Sequence, residues 1–162
     1  AAAMLARGVA PSAVRIAFLD GIMPLLTDDR GYPIRKFHGF GLTSIPLMLR
    51  YPWFSCDSTS WVLASRFGSC YIPLNGKVLK VAFSDQSPKQ QDDAGWHYTT
   101  FTPVEQAALR KYVEAKGYTV EQLATDYTKR DELNILFFLD LERTWIDRPW
   151  QRSGAQPAFF VE

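Results

Sequence analysis

An α/β domain is predicted by three observations. Near-continuous apolar runs are separated by one short helical segment, as in buried parallel strands. An Asn-Gly pair then joins two further apolar runs, the signature of a β-hairpin. The last third carries repeated helix-start patterns. At 162 residues with 47% apolar content, the chain has enough apolar surface for one core.

In chain order, Ala1–Gly8 reads as a short helix closed by Gly8, and Ser12 as the start of a further turn. Val14–Leu19 reads as a buried strand, although its length also fits a helix. Gly21 follows at its end, and Pro24 stops it. Residues 27–31 (TDDRG) form a polar turn. Ile34–Leu42 reads as a second strand that becomes Gly-rich. Ser44 caps a two-turn helix with Pro46 in its first turn. Tyr51-Pro52 breaks that helix, and Trp53–Cys56 reads as a third strand delivering Asp57. Strand, short helix, strand implies a right-handed parallel crossover.

Trp61–Phe67 reads as helical, and the runs Cys70–Leu74 and Lys77–Phe83 flank Asn75-Gly76 as the two arms of a hairpin. Ser84–Gly95 is polar and reads as a mobile loop. Thr102 with Glu105, and Thr119 with Gln122, are capping boxes opening two helices, the first ending at Gly117. Lys129–Trp145 reads as the longest helix, with Leu133, Leu136, Phe137 and Leu141 on one face. The tail beyond Pro149 reads as irregular.

Residues 1–90 carry 10 Lys and Arg against 5 Asp and Glu, whereas residues 91–162 carry 8 against 12. The positive half suits an anionic partner such as nucleic acid, and an uneven solvated surface gives the same numbers. No apolar run approaches the roughly 20 residues that span a bilayer. With only Cys56 and Cys70 present, a reduced, cytoplasmic setting is expected. Neither CxxC nor HxxxH spacing occurs, so no metal is assigned. No GxGxxG, GxxxxGK[ST] or GxSxG pattern occurs either, so no nucleotide cofactor or hydrolase elbow is assigned.

The residues that bear chemistry are concentrated in 36–62, KFHGFGLTSIPLMLRYPWFSCDSTSWV. Asp57 ends a strand among Ser55, Ser58, Thr59 and Ser60. A carboxylate at a strand end, held by hydroxyl donors, can act as a nucleophile; the same pattern also caps a helix. His38 in His-Gly-Phe-Gly sits on the neighbouring strand end, where Gly39 and Gly41 would admit a flat ligand; a core histidine with packing glycines fits equally. Trp53, Trp61, Trp96, Tyr98 and Phe101 are candidates for base stacking, although core packing is the commoner use of such rings.

HGFGLTS, a Pro-broken helix and SCDSTSW together resemble the guanine transglycosylase superfamily, over about Ile16–Trp145. The resemblance is closest to the phage and bacterial branch that inserts 7-deazaguanines into DNA, more than to the queuine-forming tRNA branch, whose Cys3His zinc motif is missing here. It implies the C-terminal part of a (β/α)8 barrel: last barrel strands and helices over 1–67, a hairpin insertion and polar loop over 68–100, and closing helices over 101–162, with Arg130–Asn134 similar to that branch. It implies a pentosyltransferase with Asp57 as nucleophile and no cofactor. Gly21-Ile22, His38, Gly39, Phe40, Gly41, Ser58 and Thr59 would line the base pocket, and Arg35, Lys36, Arg50 and Arg66 would meet nucleic-acid phosphates. The expected partners are DNA ahead of tRNA, a 7-deazaguanine base, and either another chain or an N-terminal segment that completes the barrel. An accessory half-barrel without activity, an inactive remnant with a structural role and tRNA-type exchange are the alternatives.

Overall fold

The computed structural model describes residues 13–42, 44–74, 76–87, 95–143 and 149–151. They form a mixed α/β fold with six helices and two small two-stranded sheets, and no barrel is formed among them. They divide into two compact units, 13–59 with 149–151, and 60–143. The expectations for Ala1–Gly8, Ser12, Asn75, residues 88–94, and Trp145 with the tail from residue 152 fall outside the described residues.

In the first unit, α1 (Ala13–Leu26) stands where a strand was expected. Ile16, Leu19, Met23 and Leu26 recur at intervals of three and four, the helical period. This face packs around buried Met23, Leu47 and Tyr51. Val14, Phe18 and Leu25 lie on the exposed side, so the run looked continuously apolar although only one stripe is buried. Gly21 is therefore mid-helix, not at a strand end, and Pro24 lies inside the last turns. A Cβ on Gly21 would meet nothing within 4 Å, and its φ is not positive. Gly21→Ala is accordingly expected to stabilise this unit by about 0.5–1 kcal/mol, measured by urea unfolding.

The turn after α1 is fixed by Asp28, whose Oδ1 accepts from the N–H groups of Arg30 (2.9 Å) and Tyr32 (2.8 Å). Gly31 has φ +87° and its carbonyl accepts from Trp150 N at 2.8 Å; a Cβ there would come within 2.4 Å of the Trp150 carbonyl oxygen. Beyond it, β1 (His38–Gly39), α2 (Ile45–Arg50) and β2 (Ser55–Cys56) form the expected parallel crossover, with His38 opposite Ser55 and Gly39 opposite Cys56. The strands are two residues each, much shorter than the runs 34–42 and 53–56. Ile34 and Phe54 at their margins are exposed rather than buried. Three strands covered on both faces are thus not found among the described residues; one pair and two helices take their place.

The second unit follows the sequence closely. α3 (Ser60–Arg66) leads into the hairpin β3 (Ser69–Leu74) and β4 (Lys77–Ala82), paired antiparallel from Ser69–Ala82 to Leu74–Lys77. Gly76 has φ +70°, as the Asn-Gly turn requires. α4 (Pro103–Ala115) and α5 (Val120–Thr125) each open on a complete capping box, and α6 (Tyr127–Arg143) is the longest helix. One hairpin face, Cys70, Ile72, Leu79 and Val81, packs with Leu109, Val113, Leu123 and Leu133. Tyr71 faces the other way, with its ring 5.6 Å from those of Phe137 and Phe138. The hairpin is thus covered on both sides by apolar groups, and the helices rely on it for burial.

No helix among the described residues is long and apolar enough to cross a membrane.

Candidate functional site

The β1–α2–β2 crossover sets Asp57 immediately after β2 and the turn Phe40-Gly41 immediately after β1. Parallel pairing puts both at carboxyl ends of strands, where side chains and free N–H groups converge. Asp57 N donates to the Gly39 carbonyl at 3.3 Å, which holds the end of β2 beside β1. Gly41, at φ +60°, turns its N–H onto Asp57 Oδ1. A residue with a Cβ is strained in that conformation. Gly39 is needed for a different reason: a Cβ there would lie 3.1 Å from both Cys56 Sγ and Leu42 Cδ2.

His38 Nδ1 is 2.9 Å from Ser55 Oγ, its register partner across the pair. That contact leaves Nε2 to face Asp57 Oδ1 at 3.6 Å, too long for a hydrogen bond but short enough for an ion pair when the ring is protonated. Both side chains are about half exposed, 46% for His38 and 53% for Asp57. The neighbouring Cys56 thiol is pushed up to about 11, chiefly by burial, with the Asp57 charge adding to the rise. It stays a thiol at neutral pH and is unsuited to nucleophilic attack, whereas the Asp57 carboxylate beside it is open to solvent.

A cleft of ≈600 Å³ opens beside this turn, walled by His38–Leu42, by Trp53, and by Arg15, Phe18 and Leu19 of α1. Phe40 stands almost fully exposed at 88% beside it. The contribution of α1 was missed because Val14–Leu19 read as a strand; the three-four spacing from Ile16 to Leu26 was the available signal. Ser55 was noticed as a neighbour of Asp57, but only the strand register reveals it as the partner of His38.

The remaining predicted residues scatter. Gly21 and Ile22 lie on α1 and are not among the cleft residues. Ser58 is half-buried and Thr59 exposed, directly after Asp57. Thr43 of the HGFGLTS motif lies outside the described residues. Arg35 is exposed, and Lys36 Nζ sits 4.3 Å from the centre of the exposed Phe54 ring. Arg66 belongs to the second unit. Among the stacking candidates, Phe101 is core and Tyr98 packs on Phe83 with ring centres 5.6 Å apart. Trp53 donates its indole N–H to the Leu47 carbonyl at 3.0 Å. Trp61 is half-buried, and Trp96 is exposed. His97, the second histidine, is buried and bonds Thr99 and the Ser84 carbonyl, a structural role. No group of three or more His, Cys, Asp or Glu side chains that could hold a metal ion is found among the described residues.

Arg50 is held by Asp20 rather than presented to solvent. Its Nη2 lies 2.8 Å from Asp20 Oδ2 and its Nε 3.3 Å from Oδ1, and the Tyr51 hydroxyl donates to Oδ1 at 2.8 Å. Burial pushes the Asp20 carboxyl up, but the hydrogen bonds from Arg50 and Tyr51 outweigh it and leave it below the ordinary value. A carboxyl so depressed stabilises the fold above its unfolded value of about 3.9, and that gain is lost as pH falls through the folded value. Asp20→Asn is expected to cost about 2 kcal/mol at pH 7. The deficit should begin to shrink as pH falls below ~4, where unfolded Asp20 takes up its proton, and should be smallest below the depressed folded value, where folded Asp20 is neutral too; urea unfolding at pH 7 and in acid reads both quantities.

No family model matches the chain, and neither a curated protein nor a solved structure is similar to it.

Proposed function

We propose that the chain exchanges guanine in nucleic acid, DNA in preference to tRNA, for a 7-deazaguanine through a covalent intermediate on Asp57. The observation that carries this is the setting of the Asp57 carboxylate. It is half exposed at the end of a parallel strand, fixed by the Gly41 N–H of the His-Gly-Phe-Gly turn, and faces His38. The motif around it, HGFGLTS and SCDSTSW, is the part of the chain that resembles guanine transglycosylases. On the same proposal, β1 and β2 are the last strands of a barrel whose other strands come from a further segment or chain.

The chemistry is two displacements at one carbon. An Asp57 oxygen attacks C1′ as the C1′–N9 bond breaks, and the bonding pair leaves with guanine. The incoming deazaguanine gives up its proton and attacks C1′, so the Asp57–C1′ bond breaks and the carboxylate is restored. The proton lost by the incoming base balances the one gained by the departing guanine. In a duplex the base must first leave the stack, at a cost of a few kcal/mol. Phe40 and the wall of the cleft offer an apolar surface for the extruded ring. With Arg50 held by Asp20, backbone phosphates fall to Arg35 and Lys36.

The test is to mix the full-length protein with guanine-containing DNA and RNA oligonucleotides, denature, and measure intact mass. The expected species is protein plus oligonucleotide minus guanine, with the sugar on the peptide that contains Asp57. An adduct with RNA alone would move the assignment to the tRNA type. No adduct with either, together with no uptake of labelled guanine, would overturn the proposal in favour of a non-catalytic chain.

A further inference from the structure

The second unit holds its own cleft, ≈740 Å³, between α3, the end of β4 and the start of α6. Three cations line it, Arg66, Lys80 and Arg130, and no carboxylate is among its lining residues. Arg130 is only 6% exposed. Its Nε donates to the Ser65 carbonyl at 3.1 Å and its Nη1 to the Leu123 carbonyl at 2.5 Å. These carbonyls orient the guanidinium but do not neutralise it. None of the three cations has a carboxylate within 4 Å among the described residues. Of the acids nearest in sequence, Asp126 accepts from Thr128 N and Oγ1, and Asp131, next to Arg130 on α6, is not among the residues that line the cleft. A buried cation without a counter-charge is costly, and an anion entering this cleft would remove that cost.

The walls also carry aromatic surface. The Arg66 guanidinium lies 5.0 Å from the centre of the Tyr127 ring, and Tyr127 and Phe67 are 48% and 65% exposed. Cations beside exposed rings are the combination that holds a phosphate and stacks a base. Gly68 keeps the floor open. At φ +80°, a Cβ there would come within 2.5 Å of Ser84 Cβ and 2.7 Å of Ser87 Oγ. The half-buried Lys80 has its pKa lowered by burial, as fits a cation with nothing opposite it.

We propose that this cleft binds a nucleotide unit, with its phosphate on Arg66, Lys80 and Arg130 and its base against Phe67 and Tyr127. The site is independent of base exchange at Asp57 and is tested by binding alone. The unit is either a free nucleotide or part of a single strand, which share this chemistry.

Amide chemical shifts of the full-length protein would be followed on adding inorganic phosphate, adenosine monophosphate, or a single-stranded DNA decamer. The two nucleotide probes are expected to move Gly68, Lys80, Ser84 and Ser87. Lys80→Gln and Arg66→Gln should each weaken binding about tenfold or more with unfolding unchanged. Phe67→Ser should weaken the mononucleotide but not phosphate. A decamer bound at least tenfold more tightly than the mononucleotide, with affinity falling as salt rises, assigns the site to a strand; equal affinity assigns it to a free nucleotide. Phosphate binding with no gain from the base overturns the nucleotide assignment. No shift at these amides, or shifts that survive both Gln substitutions, overturns the site.

Discussion

Asp57→Asn is expected to lower base exchange by about 10³-fold or more while leaving stability within about 0.5 kcal/mol of wild type. The separation follows from the geometry. An asparagine keeps the side-chain oxygen that accepts from Gly41 N–H, so the turn after β1 has no reason to move. The side chain is half exposed and buries little apolar surface. What is lost is the anionic oxygen that must bond to C1′, and a neutral amide is a poor nucleophile. The covalent species should vanish together with turnover.

His38 supplies the contrast. Its Nε2 faces Asp57 at 3.6 Å while Nδ1 is held by Ser55. As a positioning residue, its loss should leave the nucleophile in place but less well aimed. Exchange within tenfold of wild type in Asp57→Asn would remove Asp57 from the chemistry. The strand-end carboxylate would then be a local cap.

Where the sequence could be read, the determinants were local. Gly76 in the hairpin turn, the capping boxes at Thr102 and Thr119 and the Gly117 stop each lie within four residues of the structure they specify. The parallel crossover was legible because Pro46 and Tyr51-Pro52 bound the helix between its strands. The error over residues 14–26 has a physical origin. A helix with apolar residues on its exposed side, here Val14, Phe18 and Leu25, loses the contrast that distinguishes a period of 3.6 from an unbroken run.

The site was half legible. His38, Gly41 and Asp57 do meet, but the Ser55 contact depends on strand register, and the wall from α1 depends on tertiary packing. Arg130 and Asn134 could not be told from surface residues in the polar run Lys129–Asn134. Both are buried, and the partners of each lie as many as 65 or more positions away.

Asn134 gives the largest stability effect expected in this chain. It is fully buried in α6 and ties three elements together. Oδ1 accepts from Tyr71 N at 2.9 Å, and Nδ2 donates to the Trp61 carbonyl at 3.1 Å and the Ser69 carbonyl at 3.2 Å. One amide thus serves the end of β3 and a carbonyl of α3. Asn134→Ala takes these bonds from one backbone donor and two carbonyls in the interior and opens a small void. Each group so deprived costs about 1–3 kcal/mol, so a total of about 3–5 kcal/mol is expected, a large share of the stability of a typical domain.

Asn134→Asp separates hydrogen bonding from size. The ionised side chain keeps the acceptor for Tyr71 N but turns a negative oxygen toward two carbonyls, whereas the protonated acid can donate to one of them. Burial and those carbonyls raise its folded pKa above the unfolded value of about 3.9. The folded state then holds its proton longer, and stability falls as pH rises above ~4. Urea unfolding of Asn134→Asp should therefore show a smaller deficit at pH 4 than at pH 7, whereas Asn134→Ala should show the same deficit at both. Equal deficits for Asp at the two pH values would mean that its carboxylate escapes the two carbonyls. The link between α6 and β3 would then rest on Tyr71, Phe137 and Phe138 packing rather than on the amide.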